Sequence, residues 1–330
     1  MGKSLRTENY KIAMANKDKT IFITIPAYND PALLDTIAGA LDNSLYPNRL
    51  YFCIGMQYDD DKMPNVSQYL SNPNFNFIFY DVNTRPGVYW IRREMAERHT
   101  GQDYFFMIDS HMKFSRHWDA KLVNDYEGLV NLHGSKTIMS SPLVQEPGNT
   151  HENGMLYFRS SWDADWNNDQ TSIERTIVPG MVHQPWEGER YQKTVYCCSH
   201  FFFTNKDYLS DVGFLQRARS YSEEYTISVT SFLSGWDCYH LPEFTHLGHD
   251  DTATVKAIYG KERYSIAEGK KSQAIFETEE EKLEIEKFVL LDRSSLFTVK
   301  NQRRGIDEFY EQAGEKIQNA REKLIQILGL

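Results

Sequence analysis

The chain has 330 residues, 41% of them apolar and 25% charged, with a net charge of -10. That composition supports one large folded unit or two modest ones and excludes wholesale disorder. The acidic balance argues against a partner held mainly by phosphate neutralisation. Lys270-Lys271 and the run Lys300 to Arg304 are the candidate basic strips, and both also read as ordinary solvated surface. No apolar run reaches the ~20 residues that a membrane span needs, and the polar segment 1–19 carries no secretion signal, so the expected compartment is the cytoplasm. The four cysteines, Cys53, Cys197, Cys198 and Cys238, lack C-x-x-C spacing and read as buried thiols.

In chain order, Thr20 to Pro26 is a β-branched and aromatic run that predicts a strand, and Leu33 to Leu41 has helical spacing. Leu50 to Met56 predicts a second strand, Asp59 to Asp61 a loop and Val66 to Leu70 a short helix. Phe75 to Tyr80 reads as a third strand, after which Arg85-Pro86-Gly87 opens a helix running to about Arg98. Tyr104 to Ile108 is the fourth strand, followed by a helix over Arg116 to Leu132 and a strand over Thr137 to Ser141. Strands alternating with helices imply an α/β fold with a mostly parallel sheet, whose ligands bind beyond the carboxyl ends of the strands.

Periodicity fades over 145–190, a stretch rich in Trp, Asn, Asp and Gly that includes Trp162, Trp166 and Trp186. A long irregular insertion of this kind is expected to act as an acceptor-facing flap. Order returns with the apolar run Thr194 to Thr204, a helix over Glu223 to Leu233, a strand over Asp237 to Leu241 and a turn carrying His246 and His249. From about Glu277 the chain is charged and helix-prone. The expected organisation is a polar segment 1–19, a catalytic domain 20–255 and a helical region 256–330 packed on it.

Five clusters carry candidate chemistry. Tyr104 to His111 is a hydrophobic strand ending in Asp109 and His111. Residues two apart at a strand end point the same way, so a carboxylate and a neutral imidazole can share a divalent cation, manganese or magnesium. Such a cation neutralises the phosphates of a departing nucleoside diphosphate; the alternative is an Asp capping a turn beside a surface His. Pro26, Tyr28 and Asp30 close the first strand, where the ring suits stacking on a nucleobase and Asp30 suits accepting from its imide or from ribose. Gly87 and Arg92, at a helix start, can present N–H groups and a guanidinium to an anionic donor, or simply form a helix whose arginines meet solvent and Glu94 or Glu97. Glu223 and Glu224 precede a helix, either as first-turn acids favouring its dipole or with one facing an acceptor hydroxyl. His246, with His249 kept open, can supply a further metal ligand.

In this order, the blocks Ile25 to Pro31, Gly87 to Arg92, Ile108 to Phe114 with Trp118-Asp119, Glu223-Glu224, Gly235 to Tyr239 and Arg304 to Gly314 carry a resemblance. The chain resembles the GlcNAc-type glycosyltransferase family that includes the cytoplasmic hydroxyproline N-acetylglucosaminyltransferases. The resemblance implies a GT-A type fold with a Rossmann-like central sheet, a UDP-sugar donor, a divalent metal at Asp109 and His111, and retention of anomeric configuration. It leaves the sugar unnamed. The hydroxyl acceptor can be a protein, a glycan or a hydroxylated base of phage DNA. Ser222, Arg304-Gly305 and Pro26-Ala27-Tyr28 depart from the family's usual residues. Two other readings compete: a metal-dependent hydrolase or nucleotidyltransferase, and a non-catalytic carbohydrate-binding protein built on the many aromatic rings.

Overall fold

A computed structural model describes residues 18–82, 86–141, 143, 147, 190–218, 223–241, 246–250 and 278–330, together with the backbone of strands Met155–Ser160 and Ile177–Val182. Arg85, the three tryptophans of the insertion, Ser222 and Lys270-Lys271 lie outside the described residues, as does most of segment 1–19.

The first strand, β1 (Ile21–Tyr28), leads into α1 (Leu33–Asp42), then β2 (Leu50–Gln57) and β3 (Phe75–Tyr80). Helix α2 (Val88–Ala96), strand β4 (Tyr104–Ile108) and the short β5 (Met112–Phe114) follow, and α3 (Trp118–His133) precedes β6 (Thr137–Met139). Then come β7 (Met155–Ser160), β8 (Ile177–Val182), β9 (Gln192–Thr194), β10 (Phe201–Asn205) and α4 (Asp207–Asp211). The chain closes with α5 (Glu223–Leu233), β11 (Asp237–His240), β12 (Leu247–His249), α6 (Glu279–Leu291), α7 (Ile306–Ala313) and α8 (Glu315–Leu328).

Eight strands form the main sheet in the order β3-β2-β1-β4-β10-β6-β11-β9. The pairs β2–β3, β1–β2, β1–β4 and β6–β11 are parallel, while β10 runs antiparallel to both neighbours and β9 to β11. This is the expected α/β architecture, a mostly parallel sheet flanked by helices with a helical C-terminal segment. Strand β4 is buried along its whole length, as parallel strands covered on both faces are. Phe105 and Met107 face one core with α2, α5 and the closing helices, and Phe106 and Ile108 face the other with α1 and α3.

Several elements differ from expectation. β1 runs through Pro26, which pairs with Gly55, because a residue lacking an N–H donor still supplies its carbonyl to the ladder. The apolar run Thr194 to Thr204 is not one strand: β9 ends at Thr194, and residues 195–200 separate it from β10, which starts at Phe201. The insertion 145–190 is not irregular throughout, since β7 and β8 pair as an antiparallel ribbon. Within the expected turn, Leu247 to His249 form strand β12, paired antiparallel with β5, and His246 just precedes it.

Two motif residues hold this frame together. The Trp118 indole, fully buried, donates to the Ala40 carbonyl at 2.8 Å. The Asp119 carboxylate accepts the backbone N–H groups of Leu45 and Tyr46 at 2.7 and 2.9 Å. The start of α3 is thereby fastened to the end of α1.

Candidate metal and donor site

The carboxyl ends of the parallel strands bring together residues far apart in sequence. Asp109 follows β4, and His111 stands two residues on, just before β5. Strand β12 lies antiparallel to β5 with His249 opposite Met112, and the Asp250 N–H donates to the His111 carbonyl at 3.1 Å. That pairing sets the His249 ring beside the His111 ring, Nε2 to Nε2 at 2.9 Å, with His249 Nε2 3.2 Å from Asp109 Oδ2. Ligand atoms of Asp109, His111 and His249 all fall within 4.8 Å of one another.

His246, the expected partner, is elsewhere: its Nε2 lies 3.0 Å from Asp125 Oδ2 on α3. An extended chain advances ~3.3 Å per residue, so the three-residue step from His246, just before β12, to His249 at its end is roughly 10 Å. The imidazole that joins Asp109 and His111 is therefore His249.

Asp30 was expected at the nucleoside, and the structure turns it inward. It is 2% exposed; Oδ1 accepts the Ala32 N–H at 2.8 Å, and Oδ2 takes the Ser110 hydroxyl and lies 2.8 Å from His111 Nδ1. Burial works to raise this carboxyl, but the hydrogen bonds from His111, Ser110 and Ala32 hold it below the usual carboxylate range. With Nδ1–H given to Asp30, Nε2 of His111 is left as the lone-pair nitrogen facing Asp109 and His249. Thr36 completes the support, donating to the Ser110 carbonyl and accepting the Met112 N–H, both at 2.8 Å.

Arg92 was expected to reach an anionic donor, and instead it is 1% exposed. Its Nη2 donates to Asp109 Oδ1 at 2.8 Å and its Nε to Glu223 Oε1 at 2.6 Å. A buried guanidinium requires such counter-charges, and two carboxylates on different elements supply them. For Asp109, burial raises the carboxyl, yet the His249 hydrogen bond together with Arg92 and His111 holds it well below the carboxylate range. Burial pushes Glu223 up to about 7 against the pull of Arg92, with Glu224 and Asp109 adding to the rise.

Glu224 meets other partners. Its Oε1 accepts the Ser199 N–H at 3.0 Å and the Ser199 hydroxyl at 3.2 Å, while Oε2 takes the Tyr196 hydroxyl. Gly87 caps α2 with φ of 91°, a conformation that favours glycine, and its carbonyl accepts the Ile91 N–H at 3.0 Å. Tyr28 closes β1 opposite Gln57.

His200 was not singled out in the sequence. Its ring centroid is 4.5 Å from that of His249, and burial holds its imidazole down to about 3, helped by the neighbouring His249. The spacing Cys198-x-His200, concealed inside an apolar run, was the available signal.

A family model described as Glycosyltransferase (GlcNAc) matches residues 60–312. No curated protein matches the chain. Among solved structures it is similar to GalNAc-T7, crystallised with UDP, GalNAc and Mn2+, at 13% identity and a TM-score of 0.52, over 70% of this chain and 43% of that one. It is also similar to S. aureus TarS 1–349 in complex with UDP-GlcNAc, at 12% identity and a TM-score of 0.42, over 69% of this chain and 58% of that one. The chain thus spans less than two thirds of either structure, and the likeness to the first is one of fold, the GT-A type.

Proposed function

The chain belongs to the Glycosyltransferase (GlcNAc) family, and from that premise we propose that it moves a sugar from a UDP-sugar to a hydroxyl acceptor with the help of a divalent cation. The observation that carries this reading is the convergence of Asp109, His111 and His249 at the carboxyl edge of the sheet. One carboxylate and two imidazoles suit manganese or a similar ion. The buried Asp30 behind His111 is the partner that a metal-bound imidazole characteristically has, since it fixes the tautomer and raises the basicity of Nε2. When bound, the cation supplies charge neutralisation for a leaving diphosphate.

The remaining work falls to the chain's own groups. Arg92 holds Asp109 Oδ1, leaving Oδ2 directed at the two histidines, and Glu223 anchors Arg92 from the first turn of α5. We assign Glu223 as a positioning residue that acts through Arg92. Tyr28, at the open end of β1, is the ring we assign to the nucleoside. In a retaining transfer, the course the family resemblance favours, a donor phosphate oxygen can accept the proton of the incoming hydroxyl, so no strong protein base is needed. Protein, glycan and hydroxylated-base acceptors all provide that hydroxyl.

The test is UDP release from a panel of UDP-sugars with manganese present, comparing wild type with Asp109→Ala. Release that depends on manganese and collapses in the variant supports the reading. Equal release by both proteins rules it out.

A further inference from the structure

Behind His249 lies a second group of ligand-bearing side chains that the sugar-transfer reading does not use. Cys198, His200 and Glu224 each offer an atom within 4.8 Å of the others. The Cys198 sulfur is 2.7 Å from Nδ1 and 3.1 Å from Nε2 of His200, and Cys198 is fully buried. These residues come from the break between β9 and β10 and from the first turn of α5, so the tertiary fold assembles them.

We infer that Cys198, His200 and Glu224 form a second cation site, selective for a thiophilic divalent ion such as zinc and adjacent to the Asp109, His111 and His249 cluster. Of the two clusters, this one alone offers a thiolate. Carboxylate and imidazole groups suit manganese, whereas a thiolate with an imidazole and a carboxylate suits zinc, with three protein ligands and one position open. Charge also balances, because a divalent ion with one thiolate and one carboxylate is neutral overall. The thiol gives its proton to solvent as the metal–sulfur bond forms.

The surroundings of Glu224 support the assignment. Its oxygens are held by Tyr196 and by both donors of Ser199, the hydrogen-bonded setting in which ligating carboxylates are usually found. The His200 ring packs on His249 with an interplanar angle of 30°. A cation seated at Cys198 therefore draws on a ring in contact with the first cluster, so its binding is expected to disturb the geometry of that cluster.

Cobalt(II) titration of the full-length chain tests this by spectroscopy, independently of any sugar transfer. The expected result is a saturable thiolate-to-cobalt charge-transfer band, removed by zinc but not by manganese. The band should survive in Cys197→Ser and in Asp109→Asn and vanish in Cys198→Ser. His200→Gln, which keeps the thiol, should weaken cobalt binding by about tenfold or more. Absence of the band in folded wild type, or its persistence in Cys198→Ser, overturns the inference. Its loss in Asp109→Asn would assign the sulfur to the first cluster and overturn the second site.

Discussion

The buried carboxylate of Asp30 lies 2.8 Å from Nδ1 of His111, although the two residues are 81 positions apart. The contact orients the ring and fixes which nitrogen carries the lone pair. Asp30→Asn presents a donor or a weaker acceptor to Nδ1 and loosens the ring. Manganese affinity, read by electron paramagnetic resonance, should fall by about 10- to 100-fold while the far-ultraviolet dichroism stays native. Unchanged affinity would show that Asp30 supports only the fold.

Arg92 joins Asp109 to Glu223 from a position 1% exposed. Arg92→Ala leaves two carboxylates without their shared cation and should cost about 3–5 kcal/mol in urea unfolding. Arg92→Lys keeps the charge but loses the fork that reaches both acids, so it should retain the fold better than it retains metal affinity. Equal losses in the two readouts would reduce Arg92 to a packing role.

Asp119 is expected to affect stability alone. Asp119→Ala leaves the Leu45 N–H without its Asp119 acceptor, at a cost of about 1–3 kcal/mol, while the Tyr46 N–H keeps the Ser44 hydroxyl oxygen. UDP release per folded molecule should be unchanged, and a selective loss of release would place Asp119 at the ligand.

The clusters that carry chemistry were legible in the sequence where they are local. β4 stands out because a strand buried on both faces reads as an uninterrupted apolar run, and Asp109 and His111 follow at its end. β5 was hidden, since three residues are too few for alternation to register. Without β5 the partner strand β12 could not be placed, and it is the β5–β12 register that sets His249 rather than His246 beside His111. Asp30 and Arg92 were recognised as important residues but given external ligands. Their partners, His111, Asp109 and Glu223, are 17 to 131 positions away, so only the folded sheet shows that these charges satisfy one another.

Acid should weaken the C-terminal region through Glu284. The Lys287 hydrogen bond is the main influence drawing its carboxyl down to about 2, against the cost of burial, and the Ser295 N–H and the Ser294 and Ser295 hydroxyls assist. A carboxyl depressed in the folded state stabilises above its unfolded value of 4.5 and loses that contribution as pH falls towards 2. The stability gap between wild type and Glu284→Gln should therefore be largest above about pH 5 and close between 4.5 and 2. A gap independent of pH would contradict the assignment.

The most direct test compares His249→Ala with His246→Ala in manganese-dependent UDP release, using whichever UDP-sugar most stabilises the wild-type fold. His249→Ala is predicted to lose release by about a hundredfold or more, the scale of several kcal/mol of charge stabilisation, while folded His246→Ala keeps it. Full release by His249→Ala, or a loss confined to His246→Ala, would contradict the account.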